Sequence, residues 1–371
     1  MGVPIRQQMR IGAYLLKQKL KGVEKYPVVL MLEPLFQCNL ACAGCGKIDY
    51  EDDILKKRMS KQECLDAVDE CGAPVVSIPG GEPLIHKEMP EIVEGIIARK
   101  KFLYLCTNGV LLSKHLHKYK PSPYFTFSIH LDGLKEKHDA SVCRDGVFDK
   151  VIKATKEAID KGFRVNVNCT LFQEETPEEI AEFLDFCKDL GIEGLKRHSS
   201  KQLFRDLFKL GKGRKWPLSQ SSLFQDFLAG NQTYRCTPWG NPTRNIFGWQ
   251  KPCYLLVDEG YADSFKSLIE DTDWDHYGTG KNPKCADCMV HCGYEPTAID
   301  DTLRHPWKAL KVSLFGPRTQ GPMAPDPPME YIQTYNVSDV SEAKVDRPEQ
   351  VQQPVATEAG TETDARVSGG H

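Results

Sequence analysis

The stretch that decides the fold is Pro27-Val-Val-Leu-Met-Leu-Glu33, which is followed by Cys38-Asn-Leu-Ala-Cys42-Ala-Gly-Cys45. The apolar run predicts a buried strand, and the three thiols lie in the loop after it. Thiolates are the ligands of iron–sulfur clusters, and a [4Fe–4S] cluster normally has four. Three cysteines leave one iron open, so the spacing predicts a cluster that binds a small molecule. A zinc site is disfavoured because no fourth Cys or His follows within the next turn.

Strands and helices alternate after this loop. Further strands are predicted at residues 74–78, 101–106, 124–131 and 163–170. Helices are predicted at residues 60–71, 89–100 and 147–161, and from the N-cap Thr176 to the stop at Gly191. Such alternation predicts an α/β fold with a parallel sheet, either open or closed into a barrel. The functional site is then expected at the carboxyl ends of the strands.

The composition narrows the class of protein. The 371 residues carry a net charge of −3 and 14 cysteines. No basic field argues for nucleic acid. No signal peptide opens the chain, and no apolar run of about 18 residues could span a membrane. Clustered cysteines without a secretory signal predict metal binding in a reducing compartment, so we expect a cytoplasmic protein.

The first 25 residues form a basic segment with an apolar stripe. Its cations are Arg6, Arg10, Lys17, Lys19, Lys21 and Lys25, against the single acid Glu24. Ile5, Met9, Leu16 and Leu20 fall near one helical face. Such a helix can lie on an anionic membrane, at the inner face of the bilayer. The alternative is an ordinary helix packed across the bottom of the main domain.

The cysteine spacing is the signature of the radical S-adenosylmethionine (SAM) superfamily, which this chain resembles. At the end of the second predicted strand, Gly80-Gly81-Glu82-Pro83 fits the GGEP motif of that superfamily. Two residues without Cβ let the backbone approach a ligand closely. The resemblance implies that Gly80, Gly81 and Glu82 bind the amino group of SAM. It also implies a partial (β/α)6 barrel and a reduced cluster that cleaves SAM to a 5′-deoxyadenosyl radical. An electron donor such as flavodoxin or ferredoxin is then expected.

Four more polar residues are candidates for SAM binding. Ser128 and Asp132 follow the fourth strand, Asn168 lies on the fifth, and Arg144 follows His138-Asp139. Hydroxyl, amide and carboxylate groups can bind a ribose or an amino acid, and Arg144 can pair with the SAM carboxylate. Each could equally be a strand-end polar group or part of a surface ion pair.

A second set of thiols lies beyond residue 200. Its members are Cys236, Cys253, Cys285, Cys288 and Cys292. Their spacing favours an auxiliary iron–sulfur cluster. Zinc bound by Cys285, Cys288 and either His291 or Cys292 is the next interpretation. Unligated buried thiols are the third, since free cysteine is often part of the core.

The sequence around these thiols is similar to that of the adenosylhopane synthase family of bacterial hopanoid biosynthesis. The resemblance covers residues 1–315 and rests on segments such as Cys236-Thr-Pro-Trp-Gly-Asn-Pro and Cys285-Ala-Asp-Cys-Met-Val-His-Cys-Gly. Family membership implies that the deoxyadenosyl radical adds to the terminal alkene of the triterpene diploptene, consuming SAM. The predicted segments are a basic amphipathic helix (1–25), a radical SAM core (26–200), a Cys-rich extension (201–316) and a disordered tail (317–371).

Two features bear on activity within that family. Cys106 ends the third strand, where it could donate hydrogen to the carbon radical left by addition, or could simply be a small buried residue. After Gly194 the family continues with a sixth strand and a substrate-side loop, of which about twenty residues are missing here. The shortened loop leaves a catalytically impaired scaffold that binds a cluster as one alternative. The C-terminal cysteines leave a radical SAM enzyme that modifies peptides as another, since such enzymes also carry auxiliary cysteines.

Overall fold

The computed structural model describes residues 4–170, 175–192, 195–196, 201–214, 216–286, 288–289 and 291–325. Strands in these residues form one sheet. They are β1 (Val29–Glu33), β2 (Val75–Ile78), β3 (Phe102–Thr107), β4 (Phe125–His130), β5 (Arg164–Asn168), β6 (Leu195–Lys196), β7 (Thr243–Asn245), β8 (Gly248–Gln250) and β9 (Tyr261–Ala262). Their order across the sheet is β6-β5-β4-β3-β2-β1-β7-β8-β9.

The first six strands lie side by side in chain order, and each pair is parallel. Strand β2 is buried along its whole length, and β4 is buried up to its last residue. Burial on both faces is typical of parallel sheets, whose crossover helices cover one side. The predicted partial (β/α)6 barrel is confirmed.

Helices connect and cover these strands. They are α1 (Ile5–Leu20), α2 (Asp52–Leu55), α3 (Lys61–Cys71), α4 (Met89–Ala98), α5 (Leu112–His115), α6 (Lys135–Ser141), α7 (Val147–Asp160), α8 (Pro177–Asp189), α9 (Lys201–Leu210), α10 (Ser222–Leu228), α11 (Phe265–Asp271), α12 (His291–Arg304) and α13 (Pro306–Phe315). The predicted capping box opens α3, where the Ser60 backbone N–H donates to the Glu63 carboxylate at 2.7 Å. Thr176 and Glu179 form the same motif at α8, so both predicted helix starts are confirmed.

The sixth strand is short but present. Leu195 and Lys196 pair in parallel with the end of β5, and α9 begins at Lys201. The family resemblance implies that about twenty residues of the sixth strand and the loop after it are missing from this chain. The sheet retains its sixth parallel strand, and the predicted shortened loop, at residues 197–200, lies outside the described residues.

The Cys-rich extension shares the sheet with the core. Strand β7 pairs in parallel with β1, and β8 and β9 then add antiparallel. Of the predicted tail, residues 317–325 lie against the body, because Arg205 donates to the carbonyl of Gly321 at 2.7 Å. Residues 326–371 of that tail lie outside the described residues.

Helix α1 lies across the amino end of the barrel, where the strands begin. The Gln7 amide donates to the Tyr104 hydroxyl at 3.0 Å, and Ile11 packs against the cluster of Val75 and Phe102. Leu15 on the same side of the helix is buried. The sequence left two arrangements open for this helix, and the structure places it across the bottom of the main domain.

Candidate active site

The three cysteines of the first loop share one half-buried region beyond β1. Burial raises the pKa of Cys42 to about 12, and the neighbouring thiols of Cys38 and Cys45 raise it further. Burial also raises the pKa of Cys38. Half-buried thiols whose pKa is raised need a cation to become thiolates, and iron supplies that charge. The donor set therefore fits a cluster.

The spread of these thiols argues against a single zinc ion. Within the described part of the chain, only His130, Asp132 and His138 bring three potential ligand atoms within 4.8 Å of one another. Thiolates on one tetrahedral zinc lie about 3.8 Å apart, given Zn–S bonds of about 2.3 Å. The wider separation suits a cluster in which each cysteine binds a different iron.

The glycines of the second loop pack against the cysteine loop. A Cβ on Gly80 would lie 2.7 Å from the Leu35 carbonyl oxygen. On Gly81 it would lie 2.5 Å from the Gln37 carbonyl carbon and closer still to two carbonyl oxygens. The sequence suggested that these glycines make room for a ligand. In the structure they make room for the backbone just before Cys38.

The Glu82 side chain braces the site. It is fully buried and accepts hydrogen bonds from the backbone N–H of Leu84 at 2.9 Å and of Asn108 at 2.8 Å. The Thr107 hydroxyl donates to it at 2.8 Å. Burial raises the pKa of Glu82 to about 7, against these hydrogen bonds. Its carboxylate thus ties the end of β2 to the end of β3.

A polar face of the sheet lines the barrel interior. Ser77, Cys106, Ser128 and Asn166 share this face, because Ser128 is the register partner of both Cys106 and Asn166. The Ser77 hydroxyl lies 3.5 Å from the Cys106 Sγ. The Ser128 hydroxyl and the Asn166 amide oxygen are buried without a hydrogen-bond partner among the described residues. Buried polar groups normally have partners, so these atoms point to a ligand.

A second polar group lies where β4 ends. The Asp132 carboxylate accepts from the Thr170 backbone N–H at 2.8 Å and lies 2.8 Å from His130 Nε2. Burial alone would raise the pKa of Asp132, but these contacts hold it below its usual range. The Asp132 backbone N–H donates to His138 Nδ1 at 3.3 Å, so the proton of neutral His138 lies on its buried Nε2. Asn168 is the register partner of His130.

Arg144 has an exposed side chain in the turn between α6 and α7. This turn lies beside the cysteine loop, because the Ala43 backbone N–H donates to the Ser141 carbonyl at 2.9 Å. The structure therefore brings Arg144 near the cysteine loop and leaves its pairing with a carboxylate as a prediction.

The five C-terminal thiols converge around Cys236. Burial raises the pKa of Cys236 well above its ordinary value, and the four other thiols of the set raise it further. The Sγ of Cys236 lies against Gly293, where a Cβ would be 2.5 Å away. The structure thus assembles the predicted set from three separate segments. The side chain of His291 lies outside the described residues.

Comparison with known protein families identifies the larger part of this architecture. Residues 32–187 match the family model of the radical SAM superfamily. They form a radical SAM domain. Residues 192–312 match a second model, described as a domain of unknown function, DUF3463. That second match covers the segment that carries the C-terminal thiols.

Curated relatives of the radical SAM domain carry the name GTP 3′,8-cyclase. The enzyme of Clostridium perfringens (strain 13 / Type A) is 28% identical over 186 residues, which are 48% of this chain and 55% of the relative. A probable GTP 3′,8-cyclase of Methanococcus maripaludis (strain C5) is 31% identical over 160 residues, which are 42% of this chain and 53% of the relative. The chain thus spans about half the length of the curated relatives it matches.

Solved structures share the fold over a longer stretch. SuiB from Streptococcus suis, bound to S-adenosylmethionine, has a TM-score of 0.56 at 19% identity and covers 76% of this chain and 73% of its own. An anSMEcpe structure with bound AdoMet and the Kp18Cys peptide has a TM-score of 0.53 at 17% identity and covers 78% of this chain and 99% of its own. At these identities the likeness concerns the fold.

The radical SAM domain implies a [4Fe–4S] cluster and SAM as its cofactors. The three thiols of the first loop are suitable ligands, and the interior atoms of Ser128 and Asn166 have no hydrogen-bond partner among the described residues. Sequence reasoning did not single out Asn166, although it alternates with Val165 and Val167 on a strand that ends at the site. That alternation was the available signal.

Two further residues near the cysteine loop escaped the sequence analysis. The Asn108 amide donates to Asn39 at 2.8 Å and lies 3.7 Å from the Cys38 Sγ. Tyr254 lies between the two sets of thiols, because burial raises its pKa and both Cys45 and Cys292 add to that effect. No sequence pattern indicates this position, which depends on how the extension folds back.

Proposed function

We propose that this radical SAM protein adds the 5′-deoxyadenosyl group of SAM to the alkene of diploptene, giving adenosylhopane. The observation that supports this substrate is an aromatic cluster beside the cysteine loop. It consists of Phe36, Tyr50, Phe247 and Tyr261, whose successive ring centroids lie 5.1 to 5.9 Å apart. Phe36 is buried within the cluster, and the other three rings are half-buried or exposed. Such an aromatic surface suits a flat, uncharged molecule such as a triterpene.

The charges near this surface support an uncharged substrate. The Lys47 ammonium lies 4.3 Å from the Phe36 ring centroid and pairs with the buried Glu33 carboxylate at 2.6 Å. A cation that is already neutralised is poorly placed to bind phosphate groups. This arrangement favours an apolar molecule over GTP, the substrate in the names of the curated relatives.

The proposed roles of the site residues follow their positions. Cys38, Cys42 and Cys45 hold the cluster, which when bound supplies the electron that cleaves SAM. SAM is proposed to lie against the polar face, and its contacts are the backbone of Gly80 and Gly81 together with the polar side chains near the carboxyl ends of β4 and β5. These side chains are Ser128, Asp132 and Asn168, as predicted from the sequence. Arg144, in the turn between α6 and α7, is proposed to pair with the SAM carboxylate. Glu82, also predicted to bind SAM, is proposed to act on it through the loop that it braces.

Cys106 is proposed as the hydrogen donor. Its side chain lies on the polar interior face, 3.5 Å from the Ser77 hydroxyl, which supports this role. After addition to the alkene, the S–H bond breaks and a C–H bond forms at the tertiary carbon radical. The thiyl radical left on Cys106 then regains a proton and one electron from a flavodoxin- or ferredoxin-type donor.

The C-terminal thiols are proposed to hold an auxiliary iron–sulfur cluster. Like the first set, they include no three donor atoms within 4.8 Å of one another, judged over the described residues. That spacing favours a cluster over zinc. We further propose a cytoplasmic protein that contacts the inner face of the membrane through α1. None of the helices in the described residues is long and apolar enough to cross a membrane.

The decisive experiment compares three substrate classes under the same conditions. Protein reconstituted anaerobically with iron and sulfide is incubated with SAM, a reductant and either diploptene, GTP or a precursor peptide. We expect an adenosylated triterpene by mass spectrometry, and none from a variant with Cys38, Cys42 and Cys45 replaced by Ala. A cyclised nucleotide or a modified peptide would reject the proposal. An intact cluster without SAM cleavage would instead indicate the impaired scaffold.

A further inference from the structure

Helix α13 turns its large apolar side chains away from the protein. Trp307, Leu310 and Leu314 share one helical face and are 81%, 46% and 68% exposed. On its other side the helix packs against the protein through the small residue Ala309. Ala309 is buried, and its carbonyl accepts a hydrogen bond from the Ser222 hydroxyl at 3.1 Å. A helix that packs through its small side and exposes its apolar side needs a partner for the latter.

Helix α1 also exposes its apolar stripe and packs against the protein through a different face. Its apolar residues Ile5, Met9, Leu16 and Leu20 fall within an arc of about 60°, at about 100° per residue. Ile5 is 75% exposed and Leu20 is 81% exposed, whereas Leu15 on the far side is buried. The face that docks on the barrel is therefore separate from the apolar stripe that the sequence revealed.

The two helices lie at the same end of the molecule. Lys19 near the end of α1 pairs with Asp300 of α12 at 2.6 Å, and Tyr26 just before β1 donates to the same carboxylate at 3.4 Å. Helix α13 begins at Pro306, two residues after α12 ends. The start of α13, with Trp307, therefore lies towards the end of the barrel that α1 covers.

The two segments themselves carry cations and no acidic residue. Residues 1–23 and residues 302–325 contain no Asp or Glu. The cations in these two segments are Arg6, Arg10, Lys17, Lys19, Lys21, Arg304, Lys308, Lys311 and Arg318. Some are paired, as Lys308 is with Asp301, but Lys17, Lys21 and Lys311 form no ion pair within the described residues. Exposed apolar stripes flanked by cations are complementary to an anionic lipid surface.

We propose that α1 and α13 together bind the surface of an anionic lipid bilayer, with the stripes inserted at the headgroup level. This extends the membrane contact proposed for α1, and it rests on the exposed helices whatever the substrate. A second copy of the chain is a poorer occupant, because two such faces would bring like charges together. The cysteine loops then face away from the bilayer.

The test is binding of the full chain to lipid vesicles, which requires no turnover. Vesicles of phosphatidylcholine alone are compared with vesicles that also contain phosphatidylglycerol, by co-sedimentation. We expect binding to the anionic vesicles, and a drop of about tenfold in the double variant Trp307→Ala/Leu314→Ala, since apolar area sets interfacial affinity. Leu16→Ala/Leu20→Ala should weaken binding as well. Leu210→Ala, at an exposed leucine of α9, is the matched control and should bind normally.

Tryptophan fluorescence gives a second readout. Trp307 is the only one of the five tryptophans that is largely exposed, so its entry into lipid should produce a blue shift that Trp307→Phe abolishes while binding persists. Equal binding of the double variant, or equal binding to both vesicle types, would overturn the proposal. So would a stable dimer that the double variant abolishes, which would assign the face to a second copy. Binding that appears only after deletion of residues 332–371 would assign it to the chain's own tail.

Discussion

Replacing Gly81 with Ala tests whether the second loop positions the first. A Cβ there would lie 2.5 Å from the Gln37 carbonyl carbon, and Cβ atoms essentially never come within 3.0 Å of such atoms. The Gln37 backbone would have to retreat by at least about 0.5 Å. It is held in place by the Glu82 backbone N–H, which donates to the Gln37 carbonyl at 2.8 Å, so the displacement also strains that bond.

We expect two effects from this variant. Overpacking against backbone costs about 1–3 kcal/mol, which should appear as a lower urea midpoint at unchanged slope. Because Gln37 directly precedes Cys38, the cysteine loop should move with it and bind less iron after anaerobic reconstitution. Gly12→Ala is the matched control, since a Cβ at Gly12 of α1 would meet nothing within 4 Å. Full iron content and unchanged stability in Gly81→Ala would refute the packing role of this glycine.

Three more predictions address other parts of the site. Cys106→Ala should still cleave SAM but lose the saturated adduct, and mass spectrometry should detect an unsaturated or rearranged product. The control Cys187→Ala, at a buried thiol of α8, should behave like the unmodified protein. Cys236→Ser should lower iron per chain by about four atoms, the content of one [4Fe–4S] cluster, with SAM cleavage reduced less than iron; an unchanged iron content would contradict the auxiliary cluster. Burial lowers the pKa of His138 to about 4. The stability that neutral His138 contributes should therefore be fully present above pH 6.5 and fall towards pH 4, because the unfolded chain takes up the proton first. The free energy of unfolding should fall by at most about 1.4 kcal/mol per pH unit. In His138→Gln, urea unfolding across this range should show a smaller slope with pH.

The order of elements was readable from the sequence because local signals determine it. The capping residues Ser60 and Thr176 start their helices as expected, and the strand before Cys38 is where apolar residues placed it. Such features depend on neighbours within a few positions, which a single sequence displays. The three-cysteine site was predictable for the same reason.

What could not be predicted are contacts between distant segments. Glu82 was predicted as a ligand, and only the folded chain shows that its carboxylate is taken up by Thr107 and the Asn108 backbone. The position of Tyr254 between the two thiol sets depends on the pairing of β7 with β1, across more than two hundred residues. No local pattern encodes such a pairing, since register is set by the whole sheet.

The contacts that hold the cysteine loop in place affect how the enzyme recovers from exposure to oxygen. Gly81, Glu82 and Asn108 hold the loop through hydrogen bonds and packing that involve only protein atoms. Oxygen that destroys the iron–sulfur cluster would therefore leave the shape of the pocket largely in place. We expect damaged molecules to be repaired by insertion of a new cluster, without refolding or resynthesis of the chain.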